Sequence, residues 1–76
     1  NAPTFTGTVT AGNLATGGTL SVTGVSNLNG GANLNNQKIT SVAAGTASGD
    51  AVNFGQLTTT NNNVTTAQNA ANAAWL

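Results

Sequence analysis

Hydrophobic and polar positions follow two different periods along the chain. In the first half, Thr8-Val9-Thr10 and Thr19-Leu20-Ser21-Val22-Thr23 alternate with a period of two and are rich in β-branched residues, which predicts short strands. Gly17-Gly18, Asn29-Gly30-Gly31 and Asn35-Asn36 supply turns between such runs, because Gly and Asn accept backbone conformations closed to other residues. From Gln56 to Leu76 there is neither Gly nor Pro, so a continuous helix is permitted there. Within it Leu57, Val64 and Ala71 recur every seven residues, the spacing of one seam position of a coiled coil.

The first half also repeats itself. Laying residues 9–22 over residues 23–36 aligns Asn13-Leu14 with Asn27-Leu28, Gly17 with Gly31 and Leu20 with Leu34; the same offset then reaches Val42 and Gly45. A repeat of this length suits one coil of two short strands and two turns, each burying its Leu against the next coil. Leu14, Leu20, Leu28 and Leu34 are therefore expected to face a common core, and the alternative is a set of irregular hairpins.

For the second seam column of the helix the sequence offers either Thr60, Ala67 and Ala74 or Asn61, Gln68 and Trp75, of which the first is smaller and less polar. Ten of the nineteen residues from Thr58 to Leu76 are Thr or Asn, mediocre helix formers, so this helix is expected to be marginal alone. Ser48 or Asp50 is placed to cap its start, and Asp50 is favoured because its charge suits the positive end of the helix dipole.

Composition narrows the function classes sharply. The 76 residues include one Lys, one Asp, and no Glu, Arg, His or Cys. No metal site is expected without clustered ligands, no cofactor, and no activated nucleophile without a base beside it, so an enzyme is not expected. One Lys cannot neutralise a nucleic-acid backbone, and no apolar run is long enough for membrane insertion. Thr, Asn, Ala and Gly fill 50 positions at zero net charge, a bias that fits a repetitive structural or surface protein. Sixteen large apolar side chains are too few for a private core, which implies a core shared among copies. The chain does not begin with Met and reads as an internal piece.

At the junction stands Lys38-Ile39-Thr40-Ser41-Val42-Ala43-Ala44-Gly45-Thr46, and after three residues Asp50-Ala51-Val52-Asn53-Phe54-Gly55-Gln56-Leu57. This resembles the neck of trimeric autotransporter adhesins: an Ile-Thr-x-Val stretch, an Ala-Gly-Thr turn, then Asp-Ala-Val-Asn, two variable residues and Gln-Leu. Asn33-Leu34-Asn35-Asn36-Gln37 is similar to what leads into such necks. The resemblance implies a non-enzymatic segment with residues 1–36 as β-rich head repeats, 37–55 as neck and 56–76 as the start of a parallel trimeric coiled-coil stalk. It further implies two further copies of the chain as partners, a cell-surface position on the outer membrane of a Gram-negative bacterium, and a role in adhesion to a host surface or extracellular-matrix ligand. Family heads of the parallel β-roll type carry an Asn-Ser-x-Ala-Ile-Gly-like core that is absent here, so the head reads either as a divergent roll or as a β-prism of three interwoven chains.

On this reading Ile39, Val42, Asp50, Val52, Asn53, Gln56, Leu57, Val64 and Ala71 lie at the neck and trimer interface. Lys38 and Asp50 either form an ion pair between neighbouring chains or stand as two solvated groups. Phe54 takes a place where the family often has a smaller aliphatic residue, which suits packing at the trimer axis. Asn63-Val64-Thr65 matches a glycosylation sequon, read as chance inside a helix. A segment of a trimeric phage tail fibre is the alternative function, since Thr, Gly and Asn-rich β-structure feeding a coiled coil is common to both.

Overall fold

The computed structural model describes residues 2–75. They divide into two compact units, Asn1–Ala32 and Asn33–Leu76. The helix α1, Phe54–Ala74, lies in the second and is the sole regular element among the described residues.

In the first unit the predicted turns form and the predicted strands do not. Gly31 N donates to Leu28 O at 3.0 Å across Asn29-Gly30, and Gly31 has φ 88. Gly18 N donates to Thr16 Oγ1 at 3.2 Å, closing the bend at Gly17-Gly18. Each of these bonds reaches only two or three residues along the chain. A strand needs a second backbone about 4.8 Å away along its whole length, and no strand forms among the described residues. The β-rich head expected over residues 1–36 therefore does not form among the described residues of the single chain. Leu14, Leu20, Leu28 and Leu34 face no common core and are all exposed, Leu14 by 82%.

The second unit opens with a turn of defined type. Gln37 N donates to Leu34 O at 2.8 Å, with both central residues in the left-handed region, Asn35 at φ 51 and Asn36 at φ 65. Positive φ at both central positions is the type I′ geometry, and Asn tolerates it because its short polar side chain bonds locally. Asn33 Oδ1 accepts from Asn35 N at 2.9 Å and steadies the entry. A third left-handed residue, Ser41 at φ 60, bends the chain just before Val42.

Helix α1 spans 21 residues, about 30 Å at 1.5 Å per residue. It starts at Phe54, earlier than the Gly-free stretch from Gln56, so Gly55 falls in its first turn. Four of its five threonines fold their hydroxyls back onto the helix: Thr58, Thr59, Thr65 and Thr66 donate to the carbonyls of Phe54, Gly55, Asn61 and Asn62 at 3.0–3.2 Å. Such back-bonding keeps the hydroxyls satisfied at a small cost to the helix. Gln68 Nε2 donates to Asn72 Oδ1 at 2.9 Å, one turn on. No helix among the described residues is long and apolar enough to cross a membrane. No large apolar side chain is buried among them either, and Leu57 and Val64 are 47% and 61% exposed.

Candidate functional site at the helix entrance

Val42, Gly45, Asn53 and Gln56 are half-buried, and every other described residue is exposed. These four meet where the chain enters α1, and side-chain amides hold them. Asn53, extended at φ −88 and ψ 168, is the residue that caps the helix: its Oδ1 accepts from Gln56 N at 3.0 Å. In return Gln56 Oε1 accepts from Asn53 N at 3.1 Å, which completes a capping box and satisfies two amides that the helix start would leave unpaired.

The same two side chains reach eleven residues back along the sequence. Gln56 Oε1 also accepts from Gly45 N, and Gln56 Nε2 donates to Gly45 O, both at 2.9 Å. The Gln amide thus pairs with one residue's N–H and C=O as a neighbouring strand would. Asn53 Nδ2 donates to Val42 O at 3.0 Å. The close approach requires glycine at position 45, because a Cβ there would stand 2.6 Å from the backbone oxygen of Ala51.

Asp50 has a different role from the expected cap. It precedes the helix by four residues, and its Oδ2 accepts from Thr46 N at 3.0 Å and Ala47 N at 2.9 Å, with Thr46 Oγ1 at 3.4 Å. Its own N donates to Ala47 O at 3.0 Å. The carboxylate is committed to closing the Thr46–Asp50 loop, while Ala51 and Val52 carry the chain on to Asn53. The Thr46 amide first, then the Ala47 amide, hold this carboxyl below its ordinary value of 3.8. Within one chain Lys38 is not among the groups that act on it.

The remaining interface candidates keep their apolar surface open. Ile39, Val52 and Phe54, with half-buried Val42, line a groove of about 360 Å³ beside the cap. Leu57, Val64 and Ala71 lie on the helix itself, and all three are exposed. The sequence places Asn53 and Gln56 at the neck interface and Gly45 in its turn, but gives neither the pairing of Gln56 with Gly45 nor the left-handed Ser41. The spacing Asn53-x-x-Gln56 was the available signal for the cap. Nothing in the local sequence announces the reach from Gln56 to Gly45.

Residues 38–74 match the family model for the coiled stalk of trimeric autotransporter adhesins. The match supports that family at a coarse level and takes in both the site and all of α1. No curated protein and no solved structure matches the chain.

Replacing Gln56 by Ala is expected to release Gly45 and half of the capping box. Each bond contributes about 0.5–1.5 kcal/mol net, so helix content and melting temperature by circular dichroism should fall more than for Asn61→Ala, a helix-surface control. Gly45→Ala should cost about 1–3 kcal/mol by overpacking against backbone that cannot yield.

Asp50 sets a pH dependence. Its folded value is depressed, so its contribution is full above the ordinary 3.8 and is lost as the pH falls through the lowered value. Melting curves should be flat from neutral pH down to about 3.8 and decline below it, and Asp50→Asn should remove the decline assigned to this group.

Proposed function

We propose that the chain is a structural, non-enzymatic segment of a trimeric bacterial surface adhesin, in which residues 37–55 gather three copies into a parallel coiled stalk. One observation carries this reading. The segment that matches the stalk family contains a polar joint, Asn53 and Gln56 on Val42 and Gly45, that fixes the approach of the chain to the helix although no apolar side chain is buried among the described residues. Apolar side chains left in water favour association, at about 25 cal/mol per Å² removed from it. Two further copies would cover Ile39, Val42 and Val52 at the neck and Leu57, Val64 and Ala71 along the helix seam.

Asp50 and Lys38 then sit near the subunit boundary, where a pair between chains would contribute little if exposed. The segment belongs, on this reading, outside the cell on a Gram-negative surface, anchored to the outer membrane by other parts of the protein. Its task is mechanical: to hold an adhesive region away from that surface and transmit load along three chains. Adhesion to a host surface or matrix is the role it supports.

Sedimentation equilibrium at micromolar concentration tests the assembly, with a trimer expected and a folded monomer decisive against it. Leu57→Ala and Val64→Ala should each lower trimer stability by about 2–5 kcal/mol per chain. Thr59→Ala, on another face of the helix, should change it by less than about 0.5 kcal/mol.

A further inference from the structure

The geometry points to Asn29 as a site of spontaneous backbone-assisted deamidation, a modification that installs a second acidic group in a chain with a single Asp. Three observations meet at this residue. Asn29 is the only one of the thirteen Asn followed by Gly. It lies exposed in the turn closed by Gly31 N on Leu28 O at 3.0 Å, an arrangement that leaves the intervening Gly30 amide outside the turn's hydrogen bond. The position a Cβ would take on Gly30 has nothing within 4 Å, so the peptide has room for the rotation that ring closure requires.

The chemistry needs only water. The Gly30 nitrogen loses its proton and attacks Asn29 Cγ; the N–Cγ bond forms, the Cγ–Nδ2 bond breaks, and ammonia leaves with a proton. Water then opens the resulting succinimide. Cleavage of the bond between Cγ and the Gly30 nitrogen gives Asp, and cleavage of the bond between the main-chain carbonyl carbon and that nitrogen gives isoaspartate. The net change is an NH exchanged for an O, with no electron transfer.

Other asparagines lack this combination. Asn53 has both ends of its amide engaged, on Gln56 N and Val42 O. Asn33 Oδ1 is held by Asn35 N, and Leu34 follows it, whose side chain crowds the attacking nitrogen. Asn61, Asn62, Asn63, Asn69 and Asn72 lie inside α1, where helix geometry holds the following amide away from the side chain. Conversion of Asn29 leaves one Lys facing two carboxylates, so the net charge moves from zero to −1. In the isoaspartate product the main chain also runs through the former side chain, which lengthens the Leu28–Gly31 turn by one carbon.

The test is incubation of the full chain at mildly alkaline pH in heavy-oxygen water, followed by peptide mass spectrometry with separation of Asp from isoaspartate. Label is expected at position 29 ahead of every other Asn, with both products present. Gly30→Ala, whose added methyl meets no neighbour, should slow the reaction by roughly tenfold or more because a Cβ restricts the backbone. Equal labelling of Asn29 and the helical asparagines would overturn the assignment, as would an unchanged rate in Gly30→Ala. Reaction at Asn29 in urea but not in the native protein would equally exclude it as a site of the folded molecule.

Discussion

The side-chain amide of Gln56 is the contact on which the ordered part of this molecule depends. It binds the cap residue Asn53 on one side and both backbone polar groups of Gly45 on the other. The two jobs are linked by geometry: the amide is aimed at Gly45 only while the first turn of α1 is formed, and the first turn keeps its cap only while Gln56 is held. A helix nucleus is costly because several residues are fixed for one hydrogen bond. Here the chain from Val42 to Gly45 contributes its own bonds to that nucleus, through Val42 O and Gly45 N and O. The joint is polar throughout, which explains how it forms without any buried apolar residue beneath it.

Hydrophobic side chains are thereby left for a different purpose. Ile39, Val52 and Phe54 are all more than two-thirds exposed beside the joint, and Leu57 and Val64 continue along the helix. Large apolar groups gathered at one end of an element and open to water mark an interaction surface. The helix adds little stability of its own, since four of its five threonines spend their hydroxyls on carbonyls one turn back. Local polar bonds set the shape of the entrance, and the proposed association would supply what the single chain lacks.

Which features were legible in the sequence follows from how far each interaction reaches. The turns at Gly17-Gly18, Asn29-Gly30 and Asn35-Asn36 were readable because Gly and Asn decide such conformations within two or three residues. The helix was readable from the lack of breakers, although its start at Phe54 was not, because Asn53 rather than Asp50 caps it. Charge suggested Asp50, but its carboxylate had nearer amides in Thr46 and Ala47 and a tight loop to close. The period-two pattern of residues 8–10 and 19–23 misled for the opposite reason. Alternation states which face a strand would bury, but the partner backbone must come from elsewhere, and the single chain does not provide it.

The scarcity of charge places one further demand on the joint. Coiled coils commonly fix partner choice and register through opposite charges flanking the seam and through polar residues within it. Helix α1 contains no charged residue, and its seam column of Leu57, Val64 and Ala71 tapers toward small side chains. Sliding one helix by seven residues against its neighbours would set Leu57 against Val64 and Val64 against Ala71, a loss of packing but no clash and no unpaired charge. The helices alone therefore discriminate weakly between registers. In the proposed trimer the entrance would discriminate, because Gln56 on Gly45 fixes where the helix begins relative to Ile39, Val42 and Val52. If those three side chains pack against their counterparts, a slipped register leaves one set of them in water. In the proposed trimer the polar joint would set the position of the apolar contacts, and those contacts would set the register that an uncharged helix cannot set for itself.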